Sequence, residues 1–210
     1  MKSQKTIYHL IVDKSGSMYD SIPQTIEGYN EQVKKIISLE KEFPNQEITI
    51  GLTLFNHSVH TLYMGAGSKQ ATLLTKSNYR PEGNTALYDS IGVTVHQLEN
   101  LLERSETVMP TTVAVIIITD GMENASGLFN LKMIQQTIMR LENTEKWTFS
   151  FLGAELQSLE AAKMMNFKNS NTKLFSKDKM SETFDDLKDA MELYQFNKLH
   201  GQSLQNYFKK

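Results

Sequence analysis

The sequence predicts an α/β fold: an open, mostly parallel sheet with helices on both faces. Three observations lead there. Residues 7–12 and 113–118 are short, nearly continuous apolar runs, the pattern of strands buried on both faces. Stretches of helical periodicity alternate with runs of this kind. Both strands open directly into oxygen-rich loops, Asp13-Lys14-Ser15-Gly16-Ser17 and Thr119-Asp120-Gly121.

The elements follow in order. Residues 21–40 predict the first helix, because Ile22, Ile26, Tyr29, Val33 and Ile36 share one face. Pro23 sits in its first turn, where a missing N–H costs little. Residues 48–55 read as the second strand. Residues 59–64 pair with it as a hairpin after a turn at Asn56-His57. Residues 65–83 are loop-rich, with one short helix near 70–74. In that loop Gly65-Ala66-Gly67-Ser68-Lys69 lacks the spacing of a phosphate-binding loop. Residues 85–103 form the second helix, with Tyr88, Ile91, Val95, Leu98 and Leu102 on one face. Leu87, Thr94 and Leu101 add a second edge, so this helix is expected to be deeply buried. A helix over 128–141, a strand over 147–152, a helix over 156–165 and a short strand over 172–175 follow. The last helix starts near Asp178 and carries Met180, Phe184, Leu187, Met191 and Tyr194 on one face. From Phe196 the phase breaks. Leu204, Tyr207 and Phe208 then either dock a partner or a second copy, or fold back.

Composition removes several function classes. The 210 residues carry 22 Lys+Arg against 24 Asp+Glu, for a formal net charge of −2. That balance gives no footprint for nucleic acid or for an anionic membrane. There is no cysteine, which excludes disulfides, zinc ribbons, iron–sulfur clusters and cysteine nucleophiles. The first apolar run is too short for a signal peptide, and no run approaches the length of a membrane span. A cytoplasmic location is the expectation. Asn56-His57-Ser58 and Asn124-Ala125-Ser126 match the glycosylation sequon only formally.

In open α/β sheets, ligands bind beyond the carboxyl ends of the strands. Three segments collect there: residues 13–18, Gly83-Asn84-Thr85 and Thr119-Asp120-Gly121. Their side chains suit a hard divalent cation, which takes oxygen ligands and few carboxylates. Asp13, Ser15 and Ser17 alternate on one tight loop, Thr85 adds a third hydroxyl and Asp120 a second carboxylate. Two carboxylates balance the charge of the ion and leave a position for an outside acid. Asp13 and Thr85 are expected to line a solvent-facing edge. Lys14 and Arg80 either steer an incoming carboxylate or are plain exposed charges. Met18 and Met122 either form an adaptable apolar rim or pack in the core. His9 reads as a core histidine, and His57 and His60 as residues of a solvated turn.

Asp13-Lys14-Ser15-Gly16-Ser17 with Thr85 and Asp120-Gly121 resembles the metal-ion-dependent adhesion site of the von Willebrand factor type A domain family. The resemblance covers about residues 5–176 and the start of the last helix. It implies a Rossmann-like, doubly wound, mostly parallel six-stranded sheet with one antiparallel edge strand, here 59–64. It implies a single domain over 1–210, with a core of about 5–176 and a C-terminal helix and tail of about 178–210. The metal would be Mg²⁺ or Mn²⁺, held by Asp13, Ser15, Ser17, Thr85 and Asp120. Its last coordination position would take a Glu or Asp from a partner protein. The implied role is non-enzymatic, an intracellular scaffold or regulator. Two other readings stand beside it. In one, Asp13 and the serines only tie the turn and cap the first helix. In the other, the chain is a Mg²⁺-dependent phosphohydrolase. There, however, Ser15 stands where a second carboxylate is wanted.

Overall fold

The computed structural model describes residues 3–105, 109–154, 156–176, 179–204 and 206–208. Six strands form one sheet in the order β3-β2-β1-β4-β5-β6. They are β1 (Gln4–Asp13), β2 (Gln46–Phe55), β3 (Val59–Gly67), β4 (Thr111–Thr119), β5 (Trp147–Gly153) and β6 (Thr172–Leu174). The β2–β3 pair is antiparallel and every other pair is parallel. The sheet is thus the expected doubly wound one, with β3 as its antiparallel edge.

Among the described residues, five α-helices cover it: α1 (Ile22–Glu42), α2 (Leu87–Glu103), α3 (Leu131–Glu142), α4 (Leu156–Met164) and α5 (Met180–Leu199). Alternation along the central strands assigns them to layers. Tyr8, Leu10 and Val12 of β1 join Ala114, Ile116 and Ile118 of β4 in a core with α1 and α5. Ile7 and Ile11 join Val113, Val115 and Ile117 in a second core with α2 and α3. Both faces of β1 and β4 are therefore sealed, which is why their sequences lack polar alternation. Helices α1 and α5 approach closely at Gly28, where any Cβ would collide with the Phe184 ring. Among the described residues, no helix is long and apolar enough to cross a membrane.

Several expectations are corrected. No helix forms at 70–74; a 3₁₀ turn spans Ser68–Gln70 instead. The Asn30 side chain of α1 takes both backbone groups of Leu74, donating to its C=O (3.0 Å) and accepting from its N–H (2.9 Å). Gly65-Ala66-Gly67 is strand rather than loop, reached through a register shift in the β2–β3 pair. Helix α3 starts at Leu131, not at residue 128, with the Asn130 side chain capping Met133 N–H (3.1 Å). Leu101 is exposed, so the second edge of α2 is buried only at Leu87 and Thr94. The expected start of the last helix at Asp178 lies outside the described residues. That helix continues to Leu199, but its apolar phase breaks as expected, with Phe196 and Leu199 exposed and Asn197 and Lys198 buried, and the chain then folds back. Tyr207 is buried with its ring 5.7 Å from that of Tyr194.

His9 is a core histidine, with Nε2 2.9 Å from Thr53 Oγ1. Its ring fills the space beside Gly51, where a Cβ would collide with it. Burial pushes its pKa down from 6.5 to about 3. The unfolded chain therefore takes up a proton below about pH 6.5 that the folded protein refuses until about pH 3. Stability from this residue falls as pH drops through that window. Urea melts from pH 7 to 4 should show a steeper loss for wild type than for His9→Gln; parallel curves would refute the assignment.

Candidate metal centre

The five predicted oxygen donors come from three loops at one edge of the sheet. The parallel register of β1 with β4 runs to the pair Val12–Ile118, so both strands end side by side. Asp13 is the last residue of β1, and Asp120 follows the last residue of β4. The two carboxylates are thereby delivered to one place.

Hydrogen bonds fix the arrangement. Asp13 Oδ1 accepts from Ser15 N–H (2.6 Å), and Asp13 Oδ2 accepts from Thr119 Oγ1–H (2.6 Å). Ser15 Oγ and Ser17 Oγ are 3.1 Å apart. Ser17 Oγ donates to Asp120 Oδ1 at 2.6 Å. Thr85 enters from the segment before α2. A Cβ added to Gly121 would lie 2.9 Å from Thr85 Oγ1 and 3.5 Å from Asp13 Oδ2. Glycine at 121 thus leaves open the space that the Thr85 hydroxyl and the Asp13 carboxylate border.

The loops are also tied through their backbones. Gly16 N–H donates to Gly83 C=O (3.0 Å), and Glu82 N–H to Lys14 C=O (2.9 Å). Tyr79 OH donates to Asp13 C=O (2.7 Å). Gly83 holds a left-handed φ of 73°, and its missing Cβ admits the His57 ring against the loop. His57 is exposed but packs on this loop, so it is more than a solvated turn residue.

Burial separates the donors. Asp13 is 0% exposed, Thr85 3% and Asp120 7%, whereas Ser17 is exposed. The expected solvent-facing edge for Asp13 and Thr85 is thus corrected; solvent reaches the cluster on the Ser17 side. Burial pushes the Asp13 carboxyl up to about 6, helped by repulsion from Asp120 and opposed by the Thr119 and Ser15 bonds. Asp13 has no ion-pair partner among the described residues. A cation placed among these oxygens would reverse that shift. No cluster of three His, Cys, Asp or Glu occurs among the described residues. A set of two carboxylates and three hydroxyls does not need one, and its hard-oxygen chemistry fits Mg²⁺ or Mn²⁺.

Met18 is fully buried and packs in the α1/α5 core, so it is not part of a rim. The loop forms a 3₁₀ turn over Gly16–Ser21, which turns Met18 inward and leaves Tyr19 69% exposed. Met122 is 52% exposed and does flank the site. Arg80, Asp20 and Glu82 are exposed and Lys14 is half-buried.

No protein-family model matches the chain, and no curated protein matches it. Solved structures do. The vWF domain of the type V pili tip protein Mfa5 from Porphyromonas gingivalis superposes with a TM-score of 0.67. It is 11% identical, over 91% of this chain and 96% of that one. Manganese-loaded TRAP from Plasmodium vivax gives 0.58 at 17% identity, over 86% and 72%. The ArnB paralog VWA2 from Sulfolobus acidocaldarius gives 0.56 at 17%, over 89% of this chain but 45% of that one. The fold is that of a von Willebrand factor A domain. At these identities the likeness extends to the fold alone.

Residues beyond the five oxygen-bearing ones support this edge of the sheet. Glu123 accepts from Tyr88 N–H (2.8 Å), Ala125 N–H (2.9 Å), Ser126 N–H (2.7 Å) and Ser126 Oγ–H (2.6 Å). Asp89 accepts from Gly127, Leu128 and Phe129 N–H at 2.7–2.9 Å. The segment after Asp120 is thus laced to the start of α2. The sequence offered a signal: Glu, Asn and Ser cluster directly after Asp120-Gly121, and these types bind backbone groups.

The Gly121 geometry carries a prediction. Gly121→Ala forces the new methyl against Thr85 and should cost about 1–3 kcal/mol, the usual range for overpacking. Gly127→Ala, with open space around its Cα, should change stability by less than about 0.5 kcal/mol. Denaturant melts of both variants decide it, and equal losses would discard the close approach.

Proposed function

We propose that the chain is a non-enzymatic interaction module that holds Mg²⁺ or Mn²⁺ and binds a carboxylate of a partner protein. The observation that carries the reading is the meeting of two buried carboxylates and three hydroxyls at the carboxyl edge of β1 and β4. Asp13, Ser15, Ser17, Thr85 and Asp120 would hold the ion. Bound there, the ion supplies positive charge and an open coordination position for an acidic ligand.

The chain's own groups do the rest. Asp13 and Asp120 offset the ion's charge, so a cationic partner side chain gains little. Thr119 and Ser15 N–H keep the Asp13 carboxylate oriented. Exposed Tyr19 and Met122 sit within two residues of Ser17 and Asp120 and offer apolar contact beside the ligand. Lys14 and Arg80 are offset in number by Asp20 and Glu82 on the same two chain segments, so charge is assigned little steering. We place partner selection in the ion and the apolar side chains. The partner is a protein segment with a Glu or Asp beside an apolar residue, rather than a nucleic acid or a membrane.

Mg²⁺ or Mn²⁺ at about 100 times its dissociation constant should stabilise the fold by about 2.7 kcal/mol. EDTA should reverse the gain. Asp13→Asn keeps the shape of the side chain, removes its charge, and should abolish the gain. Calorimetric titration and thermal melts read this out. No heat and no shift for wild type would leave the five residues a turn-forming cluster. Metal-dependent hydrolysis of p-nitrophenyl phosphate that Asp13→Asn abolishes would make the chain an enzyme instead.

A further inference from the structure

The Thr85 hydroxyl reaches the site from a segment that belongs neither to the Asp13 loop nor to the Asp120 loop. Its residue is not yet helical, since α2 begins at Leu87. No helical hydrogen bond therefore fixes the Thr85 peptide group. Two contacts from one residue do so. Asn124 Oδ1 accepts from Thr85 N–H at 2.8 Å, and Asn124 N–H donates to Thr85 C=O at 3.0 Å. Both backbone polar groups of Thr85 are thus satisfied by a residue only four positions beyond Asp120.

We propose that Asn124 is a positioning residue for the metal, clamping Thr85 to the Asp120 loop so that their oxygens converge on one point. The inference rests on the metal-site reading above. Gly121 supports it independently. The loops come so close there that a Cβ would lie 2.9 Å from Thr85 Oγ1. Such an approach needs attraction to hold it, and the Asn124 clamp is the direct bond between the two backbones. The remaining links act further along: Glu123 and Ser126 bind Tyr88 and Asp89, and Asp89 binds residues 127–129. They brace the loop against the helix without touching Thr85.

The chemistry of the clamp separates its two halves. The Asn124 N–H survives any substitution except proline. The Oδ1 acceptor is lost in Asn124→Ala, kept in Asn124→Asp, and displaced in Asn124→Gln. Removing groups that orient metal ligands commonly lowers affinity 10–100-fold. Asn124→Ala should therefore bind Mn²⁺ at least tenfold more weakly than wild type. Asn124→Gln should be weakened several-fold, and Asn124→Asp should bind at least as well as wild type. Ser126→Ala cuts the brace but leaves the clamp, and should stay within about threefold.

The test uses the full chain. Mn²⁺ affinity is measured by calorimetry for wild type and the four variants. Circular dichroism checks each fold, and NMR follows exchange of the Thr85 amide in metal-free protein. The expected result is the stated order of affinities, with Thr85 exchange accelerated in Asn124→Ala and protected in Asn124→Asp. If wild type binds no Mn²⁺, the metal reading falls and this proposal with it. If wild type binds and Asn124→Ala binds within twofold, the clamp alone is overturned. Equal losses in Asn124→Ala and Ser126→Ala would make Asn124 a mere loop brace, which also overturns it. Should Asn124→Ala fail to fold, Asn124→Gln carries the test, and unchanged affinity there refutes the proposal.

Discussion

The parallel register between β1 and β4 is the constraint on which the rest depends. It places Val12 beside Ile118, and so brings the chain out of the sheet at Asp13 and at Asp120 next to one another. Period-two alternation makes a one-residue slip costly. Such a slip would move Tyr8, Leu10 and Val12 out of the α1/α5 core and exchange the two faces. The burial that fixes the register also fixes the site. Thr119 shows the coupling directly. It is the last residue of β4, and its hydroxyl bonds the carboxylate that ends β1.

The site works against the stability of the sheet that carries it. A carboxylate at Asp13 is buried beside a second one at Asp120, and burial above all disfavours the charged form of Asp13. Hydrogen bonds from Thr119 and Ser15 recover part of the loss and leave the Asp13 carboxyl still raised. A structural turn has little use for that cost, since a neutral Asn would keep one acceptor for Ser15 N–H and could donate its amide N–H to the Thr119 hydroxyl. A divalent cation would use it, because groups that repel each other without it would attract it in common. This argument, more than the motif itself, favours a ligand over a purely turn-forming role.

The sequence carried the sheet well, because burial on both faces writes itself as continuous apolar runs such as residues 113–118. It also carried the placement of the five oxygen-bearing residues at one sheet edge, because each stands at a fixed offset from a strand end or helix start. It carried less where side chains from distant segments decide backbone structure. The helical pattern at 70–74 lost to Asn30, which lies 44 residues from Leu74. The pattern at 128–130 lost to Asp89, which takes three consecutive N–H groups there. Met18 was ambiguous because a loop and a 3₁₀ turn aim the same residue in different directions. Asn124 resembled no more than a sequon, since its role lies in a contact with Thr85 that no local pattern records.

The two edges of the sheet differ in their polar chemistry. At the amino end of β1 and β4, Lys198 from the end of α5 donates to Thr6 Oγ1 (2.8 Å), Thr112 Oγ1 (2.9 Å) and Lys5 C=O. Burial lowers that lysine to about 7. Its three donors all have acceptors from the strands. At the carboxyl edge the acceptors outnumber the donors. Asp13, Ser15, Ser17, Thr85 and Asp120 bring oxygen, and the bonds among them still leave a concentration of negative charge under a glycine cradle. One edge takes a lysine from the chain's own helix, and the other gathers the oxygens proposed to hold a cation. An asymmetry of this kind follows from strand direction, because every strand but β3 sends its carboxyl end to the same side.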